Sequence, residues 1–275
     1  MIAHYLKIAF RNLLKYKTQS IISIVGLAVG FTCFALATLW IRYEMSYDKF
    51  HRDADLIYGV YQPSWFGDGL SRSTNFLLAG FLKESFPEIS EATAVAPHFS
   101  PTGYTIKIDE VEHSVFYIRV DSAFVNMFDI RILEGNRDFL IPLSHNVAIT
   151  QRKARQWFGN ESPIGKEVEM FGTKKTIVAV VAGWNQPSNL KFDIIESLAM
   201  NYTWTRFTGE GILIKLLPSI NVEAFKKKLA EFEAQKESDN NTGSITIRNI
   251  TLIPLTEIRY QDTNIQREIQ FQYIF

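Results

Sequence analysis

Residues 21–41 read IISIVGLAVGFTCFALATLWI, 21 positions without a charged side chain, bracketed by Lys17 and Arg42. At about 1.5 Å per residue such a helix covers about 30 Å, the thickness of a bilayer's hydrocarbon core. Ahead of it stand Lys7, Arg11, Lys15 and Lys17, with no Asp or Glu. Lys and Arg collect on the cytoplasmic flank of a span, so the N-terminus is expected in the cytoplasm and the remainder outside. A secretory signal is the obvious rival, but its apolar region runs to only about 7–15 residues and ends at small residues. This run ends in Leu39-Trp40-Ile41-Arg42-Tyr43, which suits an interfacial belt. A buried core helix fits poorly with the one-sided basic flank. The reading is a retained transmembrane helix over 18–43.

The first 17 residues carry two stripes at helical spacing. Ile2, Leu6, Ala9, Leu13 and Tyr16 form an apolar one, and His4, Lys7, Arg11 and Lys15 a basic one. A helix with these two faces lies in the membrane interface and favours anionic lipid; the plainer alternative is a short positive tail. Within the span, Ser23, Gly26, Gly30, Cys33 and Ala37 step by three and four along one face. Small residues let a second helix approach closely in lipid, so this stripe is expected to pack against another span. Its partner would come from a second copy or from sequence beyond this chain.

The 275 residues leave ample length outside the membrane for a large core. Lys+Arg and Asp+Glu both total 29, but five of the basic residues and none of the acidic ones lie in the first 43, leaving 24 against 29 and a net of −5 outside. No basic patch invites nucleic acid. Cys33 is the single cysteine and sits in the span, so packing alone holds the outer part.

Two similar stretches flank a different middle. Residues 56–62 read as a strand, 75–86 as a helix capped by Ser73 or Thr74 and stopped by Pro87, and 89–96 as a strand. Residues 211–217, 222–236 and 245–255 repeat the order strand, helix, strand, with Asn221 as N-cap and 237–243 as a polar loop. The middle, 97–205, is strand-rich. Segments 105–108 and 114–120 alternate, 146–150 leads into a helix at 151–158, and 167–171 with 174–182 form a hairpin around Gly172-Thr173. The fold class is α+β: one N-terminal transmembrane helix, then a two-part outer domain. Its β-α-β/β-α-β sheet-and-helix part, 44–96 and 206–262, is split by the strand-rich insert at 97–205.

Catalytic chemistry finds little support. The five histidines, His4, His51, His98, His113 and His145, have no His or Cys at metal-ligand spacing. No G-x-S-x-G elbow, Walker loop or G-x-G-x-x-G occurs. Carboxylate pairs such as Asp53/Asp55 and Asp109/Glu110 lie in polar stretches, where solvation is the rule. The loop Trp65-Phe66-Gly67-Asp68-Gly69 is a candidate contact through its aromatics. No catalytic, cofactor or metal residue is assigned.

One constellation is specific without being catalytic. It runs Val120-Asp121-Ser122-Ala123-Phe124-Val125-Asn126-Met127-Phe128-Asp129, then Leu133-Glu134-Gly135-Asn136, Val147-Ala148-Ile149-Thr150, Ala154-Arg155-Gln156-Trp157-Phe158-Gly159 and Ser162-Pro163-Ile164-Gly165-Lys166. Thr150 is expected to cap a helix whose inner face is Ala154, Trp157 and Phe158 and which Gly159 ends, with Pro163 and Gly165 shaping the next turn. These residues resemble the periplasmic core domain of ABC-transporter permeases of the MacB-like and FtsX-like family, as does the Arg11-Asn12-Leu13, Lys15 stretch ahead of the span. The family's Gly-Asp turn is Gly135-Asn136 here.

The resemblance implies a non-enzymatic permease segment in a bacterial inner membrane, with 44–96 and 206–262 as a porter-like part, 263–275 as the start of a second span, and further spans following. It implies a separate cytoplasmic ABC ATPase subunit, a second permease copy in a dimer, and a periplasmic adaptor as a further partner beside membrane lipid. Arg11 and Lys15 stand where an ATPase could touch them and are the candidate coupling residues. The alternative is a single-pass, membrane-anchored sensor or binding domain, for which about 20 residues on the cytoplasmic side leave no room for a signalling domain.

Overall fold

The computed structural model describes residues 2–63, 69–72, 77–97, 103–108, 111–198, 211–238 and 249–261. The chain divides into two compact units, one up to Ser46 and one from Tyr47 onward. In the first, α1 (Ile2–Lys15) and α2 (Lys17–Glu44) are separated by a break at Tyr16, whose φ of −107° and ψ of 56° leave the helical region. α2 is 28 residues long and, among the described residues, is the helix long and apolar enough to cross a membrane. Its large side chains face outward, with Leu27 76 % and Phe31 70 % exposed. The hydroxyls of Thr32 and Thr38 donate to the carbonyls of Ala28 and Phe34 at 2.8 Å, so these polar groups are satisfied inside the helix.

The outer unit is built on β1 (Ile57–Pro63), β2 (Leu70–Ser71), α3 (Leu77–Ser85), β3 (Ile89–Pro97), β4 (Tyr104–Ile108), β5 (Val111–Val115), β6 (Tyr117–Val120), α4 (Ser122–Met127), β7 (Ile132–Gly135), β8 (Asn146–Thr150), α5 (Gln151–Phe158), β9 (Glu167–Met170), β10 (Thr173–Val181), β11 (Ile194–Ser197), β12 (Gly211–Leu216), α6 (Val222–Ser238), β13 (Thr251–Pro254) and α7 (Ile258–Gln261). Among the described residues the strands form one sheet, ordered β13-β1-β12-β3-β6-β11-β8-β10-β9-β4-β5, with β2 beside β1 and β7 beside β10. Pairing is antiparallel except for β8 with β10 and β6 with β11.

Alternation along the strands sorts the core into two faces. Ile57 and Tyr61 of β1, Leu213 of β12, Val95 of β3, Ile118 and Val120 of β6, Ala148 of β8 and Ile195 of β11 share one cluster that runs across the sheet. The residues between them divide the other face in two. Tyr58, Val60, Ala94, Ile212 and Ile214 pack with Leu78 and Leu82 of α3 and Phe225 and Leu229 of α6. Val147, Ile149, Ile177 and Ile194 pack with Ala154 of α5. α6 starts as expected, the Asn221 side chain accepting from the Ala224 amide at 3.1 Å. Phe86 seats edge-on to Phe225 and Phe232 at 5.5 and 5.0 Å.

Several expectations shift. The strand expected at 114–120 breaks at Phe116, where the chain leaves β4 for β3 and β11 and Asp193 takes the backbone bonds: its carboxylate accepts from the Phe116 amide at 3.0 Å, and its amide donates to the Phe116 carbonyl. Thr150 occupies the N-cap position of α5, but its side chain makes no cap bond, being buried as the last residue of β8. Gly159 ends α5 with φ 62°. The β9–β10 turn centres on Phe171 and Gly172, at φ 51° and 71°, one position earlier than expected, with Met170 opposite Thr173. Of the strand expected at 245–255, residues 249–255 are described: β13 covers Thr251–Pro254, 249–250 lie outside it, and Leu255 opens a 3-10 turn instead of extending it. Residues 245–248 and 263–275, Ser73, Thr74, His98, Asp109, Glu110 and all but Gly69 of the 65–69 loop lie outside the described residues.

Candidate functional site

The outer unit begins with a tightly wound leading segment, residues 47–56. Asp48 and Asp53 both hold positive φ, 58° and 59°, a region that Asp enters more readily than most residues. Asp48 is fully buried. Its carboxylate accepts from the Ser188 hydroxyl, from the Asn189 amide nitrogen at 3.1 Å and from the Asn189 side chain at 2.7 Å. Its own amide donates to the Pro187 carbonyl at 3.1 Å, and Ser188 Oγ also accepts from the Leu190 amide at 3.0 Å. A buried carboxylate is tolerable only with its lone pairs engaged, and these donors engage them. His51 Nε2 lies 3.6 Å from the same carboxylate. The His51 ring is packed by Phe50, Trp184 and Phe128, with centroids at 4.0, 4.5 and 4.8 Å. Asp53 then pairs with Lys215 of β12 at 2.7 Å, and that hydrogen bond holds its carboxyl below the usual range.

The trailing segment, residues 255–261, returns to the same place. Leu255 and Ile258 are buried in the shared core. The Arg259 guanidinium sits 3.8 Å from the centre of the Tyr47 ring, a cation–π contact with little exposure. Gly59 makes room for this segment: a Cβ there would lie 2.8 Å from Tyr61 and 3.1 Å from Ile258. Beside it a mainly apolar cavity of about 20 Å³, lined by Gly59, Tyr61, Arg72, Gly211, Leu255 and Ile258, has room for about one water. It is far smaller than the pockets that hold small-molecule ligands.

Two further polar centres stitch the middle strands. Asp193 accepts from Arg152 at 2.6 Å and lies 3.7 Å from the buried Lys153, which donates to the Ser114 carbonyl at 3.1 Å. Glu196 of β11 accepts from the Tyr117 hydroxyl of β6 and from Lys175 of β10. Burial first, and the neighbouring Glu196 second, push the Tyr117 hydroxyl up well beyond its ordinary range.

The sequence motifs resolve into folding devices. Asp121 caps α4 by accepting from the Phe124 amide at 3.0 Å, and the same carboxylate accepts from Thr93 Oγ1 at 2.6 Å, which fastens α4 to β3. Gly135 has φ 84°, and a Cβ there would lie 2.0 Å from the Val178 carbonyl oxygen. Gly165, at φ 82°, donates to the Ile177 carbonyl at 2.8 Å, so the Pro163–Lys166 turn docks along β10. Asp48 and Arg259 carried no sequence signal. A buried acidic residue is rare, and nothing in the residues around Asp48 marks it as one.

In the first unit, Ser23, Gly26, Gly30, Cys33 and Ala37 lie exposed on α2, and a Cβ added at Gly26 or Gly30 would meet nothing within 4 Å. Arg11 and Lys15 are exposed on α1. Among the described residues no group of three or more His, Cys, Asp or Glu could hold a metal ion.

The MacB-like periplasmic core domain matches over residues 20–232, most of the chain. The chain belongs to this family. Its fold is also that of solved relatives. A domain of a candidate permease from Porphyromonas gingivalis aligns with a TM-score of 0.60 at 16 % identity, covering 74 % of this chain and 92 % of that one. The periplasmic region of MacB from Actinobacillus actinomycetemcomitans aligns with a TM-score of 0.54 at 13 % identity, covering 79 % and 94 %. The extracellular domain of the ABC-type transporter YknZ from Gram-positive bacteria aligns with a TM-score of 0.50 at 14 % identity, covering 72 % and 99 %. No curated protein sequence matches the chain. The protein therefore joins one candidate membrane helix to a MacB-like periplasmic domain of the ABC-type transporter permease family.

Proposed function

We propose that the chain is the leading part of an ABC-transporter permease in a bacterial inner membrane, with its N-terminus cytoplasmic and its outer domain periplasmic. In this reading α2 is the first of several spans. ATP is hydrolysed by a separate cytoplasmic subunit that touches α1 through Arg11 and Lys15. Motion passes through α2 to the outer domain, which exports a substrate or acts on a periplasmic adaptor. The porter-like part (44–96 and 206–262) and the insert (97–205) are the two pieces that move, and the small-residue stripe Ser23, Gly26, Gly30, Cys33, Ala37 packs against a second copy or a later span.

The observation that carries this reading is the contact of Arg259 with Tyr47. It brings the last described residues of the outer domain back to its first, as a domain hung between two spans requires. The Asp48 bonds to 187–189 support it by anchoring the leading segment to the stretch between β10 and β11. A single-pass sensor needs no such return. The test is the double charge reversal Arg11→Glu with Lys15→Glu in the full-length permease with its ATPase, reconstituted in nanodiscs. Loss of ATPase association is expected; unchanged association removes these residues from the coupling contact.

A further inference from the structure

Strands β6 and β11 cross the seam between the two helix-covered parts of one sheet face, α3 and α6 on one side and α5 on the other. Arg119 of β6 stands opposite Ala96 of β3 on one side and Glu196 of β11 on the other. Glu196 is already engaged by Lys175 and Tyr117. Arg119 forms no ion pair among the described residues, and its Nε is buried without a hydrogen-bond partner. Among the described residues, two cations against one carboxylate leave this cluster one positive charge in excess. A guanidinium is a planar fork of donors that cannot shed its charge, and its usual counterpart is a carboxylate taken by two parallel bonds. A buried Nε–H with no acceptor is rare in a folded protein.

Aromatic rings adjoin the same place. Tyr117, two residues along β6 from Arg119, packs against Tyr104 at 6.3 Å and Phe171 at 5.7 Å, and Tyr104 meets Phe171 at 5.3 Å. The charge of Arg119 opposes the rise that burial gives both tyrosine hydroxyls, which places the guanidinium in their field. Phe171 is 58 % exposed and is held at φ 51° on the β9–β10 turn, a strained conformation for a side chain of this size.

We propose that this seam binds a carboxylate carried on an aromatic or apolar group, the Arg119 fork taking the carboxylate and the Phe171 and Tyr104 rings the apolar part. The site does not depend on the coupling role of α1, and either can fail without the other. A peptide C-terminus and a free organic acid share this chemistry.

The test titrates the full chain in nanodiscs, ¹⁵N-labelled at arginine Nε, with the tripeptide Ala-Ala-Phe, with its C-terminal amide, and with 3-phenylpropionate, each to millimolar concentration. Both acids are expected to shift one Nε–H resonance saturably, that resonance being absent in Arg119→Gln, while the amide leaves it in place. Phe171→Ala, at an exposed turn position, is expected to weaken binding by about three- to tenfold. Tighter binding of the tripeptide assigns the site to a peptide terminus, and tighter binding of phenylpropionate to a small acid. No saturable shift with either acid, or an equal shift with the amide, overturns the proposal.

Discussion

Asn189 and Asp48 are 141 positions apart in the sequence, and the Asn189 side chain donates to the Asp48 carboxylate at 2.7 Å. This bond, with those from the Ser188 hydroxyl and the Asn189 amide nitrogen, fixes the first residues of the outer domain to the segment between β10 and β11. It closes a long loop, so its strength is set against considerable chain entropy.

Replacing Asp48 by Ala strands these donors in a buried site. The expected loss is about 2–4 kcal/mol in unfolding free energy, read by denaturant titration of Trp184 fluorescence, since Trp184 packs on the adjacent His51. Asp48→Asn keeps one acceptor oxygen and is expected to lose less. Equal stability of Asp48→Ala and the parent would contradict the burial and bonding assigned to this carboxylate.

Gly135 and Gly159 both hold positive φ, but their surroundings differ. A Cβ at Gly135 would press into the Val178 carbonyl, whereas one at Gly159 meets nothing within 4 Å. Gly135→Ala is therefore expected to cost more than about 3 kcal/mol and Gly159→Ala about 1 kcal/mol. Thermal melts of the two variants side by side check the order, and a reversed order would contradict the β7–β10 geometry.

Glu88 accepts from Lys228 of α6 at 2.5 Å, and this hydrogen bond, the largest of its influences, holds its carboxyl below the ordinary glutamate range. A carboxyl depressed on folding stabilises the native state above its unfolded value, and that stability is lost as pH falls through the lower folded value. Solvent screening limits the pair to about 1 kcal/mol or less. Glu88→Gln is expected to flatten part of the acid side of the stability–pH curve and to leave the alkaline side alone. An unchanged acid slope would count against the pair.

The stripe on α2 has its own test. Gly26→Leu with Gly30→Leu adds bulk where a second helix would approach. Association of the full-length permease, measured by energy transfer in nanodiscs, is expected to fall about tenfold. Unchanged association would free this face from a packing role.

How much of this was legible beforehand depends on where the determining force acts. The span shows in the sequence because charge is expelled from lipid over a fixed length, and α2 contains it. β1, β3, β12, α3 and α6 carry their apolar periods locally, so their existence was plain. Short strands such as β7 and β11, four residues each, hold too few positions to show a period, and they form because neighbours already supply the ladder. Phe116 breaks an otherwise continuous strand pattern because Asp193, 77 positions away, takes its amide. Thr150 differs for a related reason: its type suits a cap, but it is buried at the end of β8 and its side chain makes no cap bond. Asp48 and Arg259 were invisible because their partners are brought by the tertiary fold alone.

In the coupling proposed above, motion driven by ATP in the cytoplasm reaches the outer domain through α2 and the anchored leading segment. The direct measurement is electron-spin distance distributions between a label on α2 at Leu39 and one on the outer domain at Leu143, both exposed, in the full-length permease–ATPase complex carrying Cys33→Ser. The distribution is expected to shift between nucleotide-free and vanadate-trapped states, and to broaden and lose the shift in Asp48→Ala. Superimposable distributions in the two states of the parent protein would contradict it.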